Sequence, residues 1–167
     1  MSTEEISVLR VAVPMPSRAH KSRPFSLFLA YSRRDSGLAL RLVSLLRRSG
    51  LAVYWDQDIL GGANYLETIA GRIKSANLMV ALLTEDGAQS TWVMQEMVLA
   101  RHFGRPRLPI RLGSASLPDG LLLELITTQI KSFSAQIDAE TLADFILTHL
   151  GALLRILNED GQNDPDQ

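Results

Sequence analysis

From Phe25 onward the chain alternates between two hydrophobic rhythms. "FSLFLAY" (25–31) is a compact apolar run that reads as a buried strand. "DSGLALRLVSLLRRSG" (35–50) then repeats its apolar positions at helical spacing and stops at Gly50. "LAVYW" (51–55) predicts a second strand, "DQDILGGANY" (56–65) a turn-rich loop, and residues 66–75 a helix. "NLMVALL" (77–83) is almost wholly apolar, as a central strand of a parallel sheet is when helices cover both of its faces. A helix follows over 90–104. Beyond it, "PRLPIRL" (106–112) reads as a short strand whose two prolines suit an edge or a strand start better than a sheet centre. A helical turn at 121–125, a strand at 129–133 and a helix over 139–157 complete the series. About five alternations of strand and helix predict an α/β fold of three layers, with a central parallel sheet of about five strands flanked by helices.

The same pattern divides the chain. Residues 1–24 mix Pro, Ser and basic residues and read as a flexible leader; 25–157 form the domain; 158–167, acidic with Gly and Pro, read as a disordered tail. A chain of 167 residues, 46% hydrophobic and 21% charged, is long enough for one sizeable core. Its 17 basic and 18 acidic side chains leave a net charge of -1, so nothing in the overall charge points to nucleic acid or to an anionic membrane. There is no cysteine, which excludes disulfides, a thiolate nucleophile and cysteine-ligated zinc. His20, His102 and His149 lack ligand-like spacing, so no metal is expected. No apolar run is long enough to span a bilayer.

In an open parallel sheet the ligand crevice lies at the carboxyl ends of the strands, where the strand order reverses. The predicted ends carry "AYSRRD", "WDQDILGGANY" and "TEDGAQSTW", a concentration of hydroxyl, guanidinium, carboxylate and aromatic groups. A phosphate-binding loop does not fit, because Gly61 and Gly62 are followed by no GK[ST] and no glycine-rich turn opens the first helix. A phosphoacceptor site does not fit either, since the first strand ends in Tyr31-Ser32 and the third in Leu83-Thr84 rather than in acids. The remaining reading is a pocket for an aromatic, phosphate-bearing ligand, with Trp92 or Tyr65 stacking, Arg33 or Arg34 at a phosphate, and Glu96 for charge-developing chemistry. On a regular helix Trp92, Glu96, Leu99 and Phe103 share one face, and Glu96 is the sole acid between Gln89 and Phe103. A helical Glu is ordinarily solvated. A lone carboxylate one turn after a tryptophan on an otherwise apolar stripe is therefore the position to explain.

These motifs, in order, resemble a Toll/interleukin-1 receptor (TIR) domain of bacterial type. "FSLFLAYSRRD" is similar to the family's first strand and its Ser-Tyr-Ser-Arg end, with Ala30 in place of the usual first Ser. "GLAVYWDQDILGGANYLETI" resembles the second strand and the BB loop, "STWVMQE" the Trp-x-x-x-Glu segment, and "GRPRLPIRLG" the fourth strand. The resemblance covers about residues 25–154 and implies a flavodoxin-like fold.

It further implies that Glu96 is the catalytic residue for cleaving the nicotinamide-ribose bond of NAD+. Tyr31, Ser32, Arg33, Asp56 and Trp92 would line the substrate pocket, and Tyr65 would meet the ligand from the BB loop. NAD+ is then the substrate, no cofactor or metal is needed, and the product is ADP-ribose or a cyclic isomer of it. The resemblance also implies self-association through the loop between Asp56 and Tyr65, activation by assembly and by a separate partner or signal, and a cytoplasmic role in antiphage defence. The alternative is a non-enzymatic scaffold or a virulence factor acting through TIR–TIR contacts, although scaffold-type members commonly lack the Glu.

Overall fold

In a computed structural model the described residues are 24–56, 62 and 64–160. Residues 1–23 of the leader, 57–61 and 63 of the predicted loop, and 161–167 lie outside them. The elements are β1 (Ser26–Ala30), α1 (Ser36–Arg48), β2 (Ala52–Tyr54), α2 (Tyr65–Ser75), β3 (Leu78–Leu83), α3 (Glu85–Gln89), α4 (Thr91–His102), β4 (Arg107–Leu112), α5 (Asp119–Glu124), β5 (Lys131–Phe133) and α6 (Ala139–Asp160). A 3₁₀ turn, Arg33–Asp35, joins β1 to α1.

The five strands are all parallel, in the order β2-β1-β3-β4-β5. This is the flavodoxin-like arrangement expected from the sequence. Strand residues alternate between two cores, as a period of two requires. Leu27, Leu29, Leu78, Val80 and Leu82 face α1 and α6, while Phe28, Met79, Ala81 and Leu83 face α2, α4 and α5. α1 meets its face with Ala39, Leu42, Val43 and Leu46, spaced at three and four residues. It ends at Arg48, and Gly50, just past the cap, turns the chain away with a φ of 90° that only glycine adopts without strain. β1 and β3 are buried along their whole length, which is why their sequences are continuous apolar runs.

Two expectations need correction, and one element was not predicted. β4 is not an edge strand, since it lies between β3 and β5. Pro106 precedes the strand, and Pro109 pairs with Ala81 one residue before the β5 ladder begins at Ile110, so at its level β4 has a partner on the β3 side alone. The segment after β3, to which the sequence reading gave no element, contains α3, capped by Thr84, whose Oγ1 accepts from the Gly87 N–H at 2.9 Å. α6 runs to Asp160, past the expected end at Leu157, so the first three residues assigned to the tail are helical.

Strand order reverses between β1 and β3. The chain leaves β1 toward α1 on one face and leaves β3 toward α4 on the other, so a crevice opens between the two strand ends.

Candidate functional site

Among the described residues Glu96 and Ser26 are the buried polar or charged ones, Glu96 with 5% of its surface exposed. α4 packs over β1 and β3 and buries Val93, Glu96, Met97 and Ala100 against them, while Trp92, Leu99 and Phe103 sit half-buried at the margin of that face. The carboxyl therefore projects into the apolar face of the helix. Its pKa is pushed up to about 8, first by loss of hydration and then by the negative charge of Asp56; the Trp92 indole N–H works in the opposite direction. Near neutral pH a group with that pKa divides between its two protonation states.

Asp56 follows β2 and is held from two sides. The Tyr31 hydroxyl donates to its Oδ1, and the Arg33 Nε lies 3.5 Å from its Oδ2. The Asp56 side chain is 9% exposed and that of Arg33 82%, so the guanidinium is a solvated cap over a sheltered carboxylate. The neighbouring Tyr65 hydroxyl, followed by the Asp56 charge, holds the Arg33 guanidinium above its usual range. Tyr65, the first residue of α2, stacks on Trp92 with centroids 6.1 Å apart and planes 16° from parallel.

Glu96, Asp56, Arg33, Tyr65 and Trp92 thus form one connected group at the carboxyl ends of β1 and β2 and the start of α4. The other two predicted residues stand differently. Tyr31 is 4% exposed; its ring packs in the core beneath α1 and α6, with Trp55 5.7 Å away, so it reaches the rim through its hydroxyl on Asp56. Ser32 caps the 3₁₀ turn by accepting from the Arg34 N–H at 3.4 Å. Of the predicted loop, residues 57–61 and 63 fall outside the described residues, so its expected contact with another copy has no structural description.

Asp35 and Thr84 were not singled out from the sequence. The Thr84 hydroxyl donates to Asp35 Oδ2 at 2.5 Å across the crevice, and Arg34 pairs with Asp86 at 3.4 Å beside it. A signal was present: a Thr followed by two acids marks a capped helix start. Among the described residues no group of three His, Asp or Glu could hold a metal ion, and no helix is long and apolar enough to cross a membrane.

The arrangement suits a reaction that develops positive charge. A carboxylate in an apolar wall is poorly hydrated, so a cation forming beside it gains more than it would in water. The aromatic pair offers a flat surface for a heterocycle, and Arg33 a cation for an anionic group at the rim.

Comparisons with known proteins agree with the fold. The TIR domain of the Toll-related receptor TRR-2 from Hydra magnipapillata superposes with a TM-score of 0.60 at 16% identity, covering 75% of this chain and 97% of that one. A CMP N-glycosidase of Clostridium botulinum, BcmB, superposes with a TM-score of 0.56 at 17% identity, covering 74% and 98%. In sequence, the chain is 30% identical over 82 residues to a probable 2′ cyclic ADP-D-ribose synthase, TcpO, of Methanobrevibacter olleyae; the match takes in 48% of this chain and spans about a quarter (24%) of that relative. The TIR domain family profile matches residues 27–145, which include both strand ends of the crevice and the whole of α4, and the chain belongs to the TIR domain family.

Proposed function

We propose that this TIR domain consumes NAD+, breaking the bond between the nicotinamide nitrogen and C1′ of its ribose, with Glu96 as the catalytic residue. The observation that carries this reading is the buried Glu96 carboxyl at the strand-order reversal, next to Trp92 and within the field of Asp56. The likeness to TcpO, a probable 2′ cyclic ADP-D-ribose synthase, supports it.

In the proposed step the C1′–N bond breaks with both electrons passing to the nicotinamide ring, which leaves neutral, while the ribose acquires oxocarbenium character. The Glu96 carboxylate stabilises that charge electrostatically and through a ribose hydroxyl. Trp92 and Tyr65 form the aromatic wall for the nucleotide, and Arg33, oriented by its contact with Asp56, meets the pyrophosphate. Tyr31 and Ser32 act through the placement of Asp56 and Arg33. Attack on C1′ by water, with loss of a proton, gives ADP-ribose; attack by a hydroxyl of the same nucleotide gives a cyclic product. NAD+ is the substrate, and no metal or further cofactor enters the reading.

Self-association belongs to the same proposal. Leu66, 64% exposed on the first turn of α2, directly follows Tyr65 and adjoins the loop expected to meet a second copy. A cytoplasmic antiphage role, switched on by a partner or signal, is the setting this reading assigns.

The test is incubation of the purified protein with NAD+ at dilute and concentrated protein, with products separated by chromatography. Nicotinamide release that rises more steeply than protein concentration is the expected result. Intact NAD+ at every concentration, and again when infected-cell lysate is added to supply the partner or signal, would overturn the enzymatic reading in favour of a scaffold.

A further inference from the structure

The two halves of the crevice hang from separate chain segments. Ser32 and Arg33 lie in the turn after β1, whereas Trp92 and Glu96 lie beyond β3, on a helix reached through α3. Nothing in the sheet ladder fixes one relative to the other, because the β1–β3 pairing extends only to Ala30 and Ala81, and both segments continue past it.

One side chain from each segment closes that gap. Thr84, the first residue after β3, donates its single hydroxyl proton to Asp35 Oδ2 at 2.5 Å and accepts the Gly87 N–H at 2.9 Å. Asp35 in turn ends the 3₁₀ turn, its backbone N–H donating to Ser32 O at 2.8 Å. A continuous path of hydrogen bonds therefore runs from Ser32 through Asp35 and Thr84 to the cap of α3. Gly87 keeps this path short: a Cβ there would stand 2.1 Å from Leu82 O, so only glycine lets α3 fold back this closely on β3. The Arg34–Asp86 pair joins the same two segments but is exposed at both ends, so it adds little.

We propose that Asp35 is a positioning residue: by accepting the Thr84 hydroxyl it fixes the turn bearing Ser32 and Arg33 against the segment that leads to Trp92 and Glu96. This deepens the NAD+-cleaving reading and rests on it. Asp35 touches no substrate atom in this role. Its substitution alters how well Glu96 faces the bond held by the other half, and misplacement by about 1 Å can cost on the order of 100-fold in rate.

Steady-state kinetics on NAD+ would be measured for Asp35→Ala, Asp35→Asn, Thr84→Val, Thr84→Ser and the Asp35→Ala/Thr84→Val pair, each with its folded fraction checked by thermal unfolding. Amide hydrogen exchange across residues 32–36 would be followed in the same set. Asp35→Ala and Thr84→Val should each lower kcat by roughly 10- to 100-fold with KM within about threefold, and the pair should be no worse than either alone. Asp35→Asn retains an acceptor and Thr84→Ser a donor, so both should recover most of kcat. Wild-type kcat in Asp35→Ala, a loss that only tracks the unfolded fraction, or an Asp35→Asn as impaired as Asp35→Ala would each overturn the proposal. Were wild type to leave NAD+ intact with and without infected-cell lysate, the NAD+ reading would fail by itself. The link would then be judged on exchange: equal, non-additive loss of protection at 32–36 in both single variants supports it, and independent effects overturn it.

Discussion

Replacing Glu96 by glutamine should make the protein more stable while removing its activity. The unfolded chain releases the Glu96 proton near the ordinary carboxyl pKa of 4.5, whereas the folded chain holds it up to about 8. Between those values the native state binds a proton that the unfolded state lacks, so raising the pH across this window weakens the fold. Stability from this group is fully present below about 4.5 and is lost as pH rises toward 8. Each pH unit is worth about 1.4 kcal/mol, so the full window corresponds to a ceiling of about 5 kcal/mol. Relaxation of the site and entry of water reduce this, and about 2 kcal/mol near pH 7.5 is a reasonable expectation. For a domain of this size that is a rise in Tm of roughly 4–8 °C. Glutamine keeps the shape and an acceptor for the Trp92 indole but carries no titrating proton, so its advantage should grow from pH 5 to pH 8. Thermal unfolding of both proteins across that range reads the difference directly. A constant gap between the two curves, or a glutamine variant that is the less stable at pH 8, would refute the assignment of a buried carboxyl with a raised pKa.

Three other outcomes follow from the same geometry. kcat/KM for NAD+ should rise with an acid limb near pH 8, and the limb in kcat should lie at lower pH because the positively charged nicotinamide favours the ionised Glu96; a flat kcat/KM profile from pH 6 to pH 9 would contradict this. Asp56→Asn removes the second cause of the raised pKa, so the kcat/KM limb should move toward acid even as loss of the Arg33 pairing lowers the maximum; an unmoved limb would show that Asp56 does not act on Glu96. Gly87→Ala should cost roughly 2–3 kcal/mol, seen as a lower Tm in thermal unfolding, because its Cβ would meet a backbone oxygen that no side-chain rotation can relieve; an unchanged Tm would refute the close approach.

How much of this was legible in the sequence differs by residue. The sheet was readable because β1 and β3 are buried on both faces, which forces short apolar runs, five and six residues long, between turn-forming segments. β4 misled because proline was judged by strand position alone, whereas Pro109 pairs on one side only, ahead of the β5 ladder. Trp92 and Glu96 could be placed on one helix face from spacing, and the burial of that face followed from their neighbours. Tyr31 could not be separated from the pocket in this way. Its ring goes to one face and its hydroxyl to Asp56 because β1 alternates, a choice of side that depends on which helices cover which face. The Asp35–Thr84 bond joins residues 49 apart, and no local pattern announces such a pair before the strand order is known.

The most direct test of the central claim is nicotinamide release from NAD+ by wild-type and Glu96→Gln protein, at equal folded concentration and at a protein concentration high enough to permit assembly. The expected result is turnover by wild type and a loss of at least about 100-fold in the glutamine variant, which stays folded. Equal turnover by the two proteins would show that the buried carboxyl is not the catalytic group.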